Sequence, residues 1–172
     1  MAIRRGSSVV VAALVIGAIA ALTEMVPVFP IQGALGVSPR LVLQSIASGL
    51  LGRQAYSGGA ATVLLGIALH LLISFLFALA YVVVGDRWAA LRRHPWVAGI
   101  AYGTVVFAVM RYIVVPLSAV AYKQSTDWSM FAISLTVHIV GFGIPIALLD
   151  RWWAGANARR QAELAPSTTA VV

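Results

Sequence analysis

Four long apolar segments dominate this chain of 172 residues. Each is about as long as the roughly 20 residues that a helix needs to cross the hydrocarbon core of a bilayer. Backbone amides find no water in lipid, so each segment should be an α-helix, and the alternation typical of barrel strands is absent. We therefore predict an all-α membrane protein with a bundle of four transmembrane helices. The spans are predicted at about 8–28, 60–84, 95–117 and 128–149.

Composition supports this class. Hydrophobic residues make up 61% of the chain and charged residues only 10%, whereas soluble domains average about 25% charged residues. The net charge of +7 comes from short basic flanks between the apolar segments. A nucleic-acid surface would need these charges on one face, so the lipid bilayer is the expected partner and nucleic acid is not. Cysteine is absent, which excludes disulfides and thiolate metal sites.

The distribution of lysine and arginine predicts the orientation, because cytoplasmic loops carry the excess of positive charge. Eight arginines flank one side of the predicted helices: Arg4, Arg5, Arg87, Arg92, Arg93, Arg151, Arg159 and Arg160. Three basic residues flank the other: Arg40, Arg53 and Lys123. Both termini should be cytoplasmic. Residues 1–158 form the predicted single domain, and the small polar residues of 159–172 predict a disordered cytoplasmic tail.

The connection between the first two spans contains a further predicted helix. Ser38 is a suitable N-cap, Pro39 suits the first helical position and Gly52 could end the helix. The segment is too short to span a bilayer, which predicts a short external amphipathic helix against the outer end of the bundle. It could cover helix ends or act as a lid over a cavity. The face expected to pack against the bundle consists of Leu43, Ile46, Ala47 and Leu50, with Gln44 and Ser48 elsewhere.

Small residues recur at helical spacing. Gly99 and Gly103 form a GxxxG pattern in the third span. In lipid, such positions let two helix backbones approach closely. The pattern predicts either close packing within the chain or a homo-oligomer joined through this face.

A few polar side chains lie within the predicted spans. The ionisable ones are Glu24, His70, Arg111 and His138. At a rise of 1.5 Å per residue, all four fall between the middle of the bilayer and its outer third. Small or hydroxyl-bearing residues lie on the same helix face as these groups. We predict that they form one intramembrane polar site, with Glu24 and Arg111 as an ion pair. The predicted site comprises Glu24, His70, Ser74, Thr104, Arg111, Ser134 and His138.

Pro145 follows the second histidine by two turns. It lacks the amide that would bond the Gly141 carbonyl. The freed oxygen could coordinate a cation, as carbonyls of broken membrane helices do, or the proline could simply kink the helix.

Three interpretations of His70 and His138 remain open. They could form hydrogen bonds between helices, or relay protons, since histidine titrates near neutral pH. As a third alternative, the two imidazoles could bind haem b as axial ligands. No metal-ligand spacing and no catalytic motif is present, so no catalytic residue is predicted.

The two halves of the sequence weakly resemble each other. Glu24 is followed by Val26-Pro27, as Arg111 is by Val115-Pro116, and the second and fourth spans each carry a central histidine. This pattern could reflect duplication of a two-helix hairpin.

Several motifs between about residues 60 and 150 resemble a known family. They are SFLFALAYVVV, WVAGIAYG, VVPLSA and GFGIPIALL, with a histidine ahead of the first and the last. Together they resemble the YagU-like group of small bacterial inner-membrane proteins of unknown function. The positions that match are His70, Pro116 and His138. Members often carry a different polar residue where this chain has Arg111, so the resemblance does not extend to the Glu24–Arg111 pair.

The resemblance implies a multi-pass protein of the bacterial inner membrane, linked to stress or acid tolerance. The predicted function is a non-enzymatic membrane protein whose polar site handles protons or a small ion or solute. The alternatives are a bis-histidine haem-b electron carrier and a structural accessory subunit of a membrane complex.

Overall fold

The computed structural model of the chain describes residues 6–120 and 125–164. Every regular element in that part of the chain is helical, which confirms the predicted all-α class. The helices are α1 (Gly6–Ala34), α2 (Pro39–Leu51), α3 (Gly59–Arg87), α4 (Ala89–Arg93), α5 (Pro95–Leu117) and α6 (Trp128–Leu164), with a 3₁₀ turn at Gly52–Tyr56 after α2.

Four of these helices, α1, α3, α5 and α6, are long and apolar enough to cross a membrane. Two extend beyond their predicted bounds. Helix α1 continues through Pro27 and Pro30 to Ala34. Membrane helices tolerate such prolines where neighbouring groups bond the carbonyls that the prolines leave free. Helix α6 continues to Leu164, so residues 159–164 are helical although the sequence predicts a disordered tail there. Alanine, arginine, glutamine and glutamate in this stretch are all strong helix formers.

Both α5 and α6 contain a widened π-helical turn. These turns are Met110–Val114 and His138–Gly143, closed by hydrogen bonds from the amide of Val115 to the Met110 carbonyl and from that of Ile144 to the Ile139 carbonyl. Each turn comes just before a proline, Pro116 or Pro145. A proline ring clashes with the carbonyl four residues earlier, and in both helices that carbonyl belongs to the widened turn, which accommodates the clash.

Glycines set the closest approaches between helices. A Cβ atom at Gly143 of α6 would lie 2.6 Å from the Cα of Gly103 in α5, and one at Gly17 of α1 would lie 2.8 Å from the Cα of Phe75 in α3. Gly99 likewise packs on the backbone of Ile144. The GxxxG face is therefore occupied by α6 of the same chain, so any homo-oligomer would use another surface.

The face of α2 that packs against α3 shares Ala47 with the predicted face but is rotated from it. Its N-cap is Ser38, whose hydroxyl accepts from the amide of Leu41, and Gly52 ends it with a φ of 57°. The buried residues are Val42, Gln44, Ala47 and Ser48. Leu50 is 62% exposed.

The prediction that Gln44 and Ser48 point elsewhere is wrong. Gln44 donates to the hydroxyl of Thr62 in α3 at 3.0 Å. Leu41, Leu50 and Leu51 are exposed, whereas Leu43 and Ile46 are half-buried.

The two ends of the structure differ in charge. We call the end that contains α2 the α2 end and the end that contains α4 the α4 end. The segment after α5 is held at the α2 end by a hydrogen bond from the amide of Ala119 to the Gly49 carbonyl. Among the described residues, the arginines at the α4 end are Arg87, Arg92, Arg93, Arg151, Arg159 and Arg160, and those at the α2 end are Arg40 and Arg53.

The close contact at Gly143 predicts a specific cost of adding one methyl group. Gly143→Ala should destabilise the protein by about 1–3 kcal/mol, the usual effect of overpacking. Thermal unfolding in detergent measures it. Gly155→Ala in the same helix is the matched control, because a Cβ there meets nothing within 4 Å among the described residues, and it should stabilise by up to about 1 kcal/mol. Equal melting temperatures for the two variants would contradict the packing described.

Candidate functional site

Glu24 lies between the two intramembrane histidines. Its Oε2 is 3.9 Å from Nε2 of His70, and its Oε1 is 3.6 Å from Nε2 of His138. The three residues come from α1, α3 and α6, and Glu24 is only 9% exposed. A carboxylate in such a place needs a charged or hydrogen-bonding partner, and the imidazoles occupy that position.

Each imidazole ring also contacts a backbone carbonyl, and this contact shows which ring nitrogen carries the hydrogen. Nδ1 of His138 lies 2.8 Å from the carbonyl oxygen of Ser134, which can only accept, so Nδ1 carries a hydrogen. When His138 is neutral, its Nε2 therefore presents a lone pair to Glu24. A lone pair facing a carboxylate is repulsive, so the Glu24–His138 pair is favourable only when it holds a proton, on one group or the other.

His70 is arranged differently. Its Nε2 lies 3.1 Å from the carbonyl oxygen of Ala21, so this nitrogen carries a hydrogen in the neutral ring. The same nitrogen lies 3.9 Å from Oε2 of Glu24. His70 can thus stabilise an ionised Glu24, and His138 can exchange a proton with it.

Gly141 allows α1 and α6 to come this close. A Cβ atom at Gly141 would lie 3.0 Å from the Cα of Glu24. The carbonyl of Gly141, which Pro145 deprives of its usual amide, accepts a hydrogen bond from the hydroxyl of Thr23 at 2.7 Å. Of the three carbonyl oxygens within reach of that hydroxyl, this one is the closest. The freed oxygen therefore joins α6 to α1 beside the Glu24–histidine cluster.

A cavity of about 360 Å³ leads to this cluster. It lies between α1, α5 and α6 and reaches Gln32 and Ser125 near the α2 end. Most of its wall is apolar. The polar groups along it are Glu24, Gln32, Arg111, Ser125, Ser134 and His138. The cavity thus connects the Glu24–His138 pair with the α2 end.

Arg111 lines the same cavity, but its contacts differ from the predicted ion pair with Glu24. Its guanidinium donates to the carbonyl of Ser125 at 2.9 Å and lies 5.3 Å from the ring centre of Phe131. Phe131 packs edge-on against Phe107, and Phe107 against the ring of His138. An aromatic row therefore runs from Arg111 to His138, while Glu24 faces the histidines.

The predicted site residues with hydroxyl groups divide into two sets. Ser74 is buried one turn along α3 from His70, and Ser134 lines the cavity. Thr104 is exposed and donates to the Ile100 carbonyl of its own helix. It thus belongs to the outer face of α5.

The arrangement does not fit a haem between the histidines. Both Nε2 atoms, the ones that would bind iron, face Glu24, whose carboxylate occupies the space between them. Among residues 6–120 and 125–164, no group of three or more histidine, aspartate or glutamate side chains could hold a metal ion.

A second buried cluster, which sequence reasoning missed, lies at the α4 end. Arg92 donates through Nε and Nη2 to the two carboxylate oxygens of Asp150, at 2.7 and 3.2 Å, and Nη2 also donates to Asp86 at 2.5 Å. Asp150 is completely buried. We call these three residues the aspartate–arginine cluster. The triplet Asp-Arg-Trp, at 86–88 and again at 150–152, is the sequence signal that could have revealed it.

Comparison with known proteins leaves the site to be interpreted from its own geometry. No family model matches the chain, and no curated protein or solved structure is significantly similar to it. The resemblance to the YagU-like group stays a prediction.

The bond between Thr23 and Gly141 predicts a coupling between Thr23 and Pro145. Thr23→Val should cost about 0.6–1.7 kcal/mol, the range for hydrogen bonds between membrane helices. With Pro145→Ala in the background it should cost less, because the new backbone amide can bond the Gly141 carbonyl. A double-mutant cycle on unfolding free energies measures this. The same cost in both backgrounds would show that the hydroxyl does not replace the missing amide.

Proposed function

We propose that this protein conducts protons across a bacterial inner membrane through the Glu24–His70–His138 cluster. The observation that carries the proposal is the Glu24–His138 pair, because Nε2 of His138 lies 3.6 Å from Oε1 of Glu24 and the two groups are favourable together only when one of them holds a proton. A site that must hold a proton and can place it on either partner suits transfer.

The surroundings favour protons over a larger solute at the deepest point. The cavity provides space from the α2 end down to Glu24 and His138. Beyond them, Gly141 packs against the backbone of Glu24, and His70 bonds the Ala21 carbonyl. Hydrogen-bonded groups can pass a proton through such close packing, whereas an ion with its hydration shell needs an open path.

The proposal includes the arrangement in the membrane. The four apolar helices form a bundle that spans the bilayer, and the α4 end, with its excess of arginines, faces the cytoplasm. Helix α2 then lies on the outer surface with its exposed leucines in the interfacial lipid. The cavity opens to the outside, and both chain termini are cytoplasmic.

Proton flux into liposomes tests the function. With an imposed pH gradient, valinomycin and an internal pH dye, liposomes containing the protein should equilibrate faster than empty ones. Glu24→Gln keeps the shape and removes the titratable oxygen, and it should lower the protein-dependent rate on the order of 100-fold, the lower end of what a positioned acid–base group contributes to proton transfer.

The matched control is Thr104→Val, a change of similar size on the exposed face of α5, which should conduct like the wild type. Wild-type liposomes that equilibrate no faster than empty ones would refute proton conduction. Wild-type rates in Glu24→Gln would show that conduction does not pass through this cluster.

A further inference from the structure

The aspartate–arginine cluster is too well built to be a chance surface contact. Asp150 has no exposed surface and is bonded by Arg92 through both oxygens. A Cβ atom at Gly85 of α3 would lie 3.0 Å from Oδ2 of Asp150, so the carboxylate lies directly against α3. The cluster therefore places charge inside the packed helices at the α4 end.

Two buried polar atoms close to this cluster lack a hydrogen-bond partner. Over residues 6–120 and 125–164, the hydroxyl of Tyr81 and Nε1 of Trp153 are the buried side-chain atoms in this condition. Tyr81 is 2% exposed and lies one turn before Gly85 on α3, within electrostatic range of Asp150 and Arg92. Trp153 follows Asp150 by three residues, on the same side of α6. An unpartnered buried hydroxyl costs stability, and this one is retained next to buried charges.

One face of α3 carries polar side chains between the two clusters. His70, Ser74, Tyr81 and Gly85 are separated by four, seven and four residues, which places them along one helix face. Midway, Tyr102 of α5 donates to the Phe77 carbonyl at 2.6 Å and packs on the ring of Tyr81, with 4.9 Å between ring centres. From His70 to Gly85 the stripe covers roughly 22 Å at 1.5 Å per residue.

We propose that Tyr81 and the aspartate–arginine cluster form the cytoplasmic half of the proton path, through which a proton leaving the Glu24–histidine cluster reaches the water at the α4 end. This inference rests on the proposed proton conduction and extends it. It gives a role to residues that conduction through the outer cluster alone does not use.

The chemistry of each group fits its position. A tyrosine hydroxyl is both donor and acceptor, so it can pass its own proton on as it takes another, and its net charge does not change. Arg92 bonds the carboxylates of both Asp150 and Asp86, and a carboxylate oxygen can accept a proton and pass it on. Ser74 and Tyr102 supply the hydroxyl groups between His70 and Tyr81.

The variant Tyr81→Phe separates this role from a structural one. It removes the unpartnered hydroxyl and leaves the ring packing, so thermal stability should stay equal to that of the wild type or rise. Proton flux should nevertheless fall toward the level of Glu24→Gln. Tyr112→Phe is the matched control, since Tyr112 is exposed on α5, and it should change neither stability nor flux.

The outcomes distinguish the two proposals. If wild-type liposomes conduct, Glu24→Gln does not, and Tyr81→Phe conducts like the wild type, then the cytoplasmic path does not use Tyr81 and this inference is wrong while the proposed function stands. If the wild type itself does not conduct, the proposed function fails first. A marked loss of stability in Tyr81→Phe would show that its hydroxyl has a structural partner, and would also overturn the inference.

Discussion

Close contact between helix backbones is the constraint on which the rest of this structure depends. In lipid, helices gain little from burying apolar surface against each other and associate through backbone approach and interhelical hydrogen bonds. Gly143 meets Gly103, and Gly141 meets the Cα of Glu24. The second contact determines the site, because it lies one turn from His138 and holds α1 and α6 near enough for the carboxylate to reach the imidazole. A side chain at Gly141 would separate the carboxylate and the imidazole on which the proposed function rests.

A second constraint is that every backbone carbonyl of a membrane helix needs a hydrogen-bond donor, including the one that a proline leaves free. Pro145 leaves the Gly141 carbonyl of α6 without its usual amide donor, and the hydroxyl of Thr23 in α1 donates to this carbonyl instead. The widened turn His138–Gly143 shifts the carbonyls that the proline ring would otherwise hit. A local irregularity thus becomes a bond between helices, and it lies next to the titratable groups, where π-helical turns are often found.

The sequence predicts the parts of this structure that depend on length and depth. Apolar runs of about 20 residues predict four helices, and a fixed rise per residue predicts that Glu24, His70 and His138 lie at similar depth. The partner of Glu24 is not predictable in this way, because it depends on the rotation of each helix about its axis, which the widened turn that contains Arg111 alters in α5. The prediction of which face of α2 packs against the bundle fails for another reason. An apolar face turns inward in water, whereas a leucine such as Leu50 can stay outside where the surroundings are lipid. The aspartate–arginine cluster was missed because charges at the ends of spans are expected at the membrane surface, whereas Asp150 is fully buried.

The two clusters are built in the same way, from one residue each of α3 and α6 and a third residue that joins them. Helices α3 and α6 each carry a histidine within the span and Asp-Arg-Trp near its end. Their histidines meet around one carboxylate, that of Glu24, and their aspartates around one guanidinium, that of Arg92. Each of these two pairs is thus joined by a single residue of opposite character from a third helix, α1 or α4. The bridging residues favour both pairs inside a packed protein, because each ionisable group then has a partner, which lowers the cost of burying it. Since both pairs lie on the same two helices, a route along α3 can connect them, and Ser74 and Tyr81 lie on that stretch of the helix.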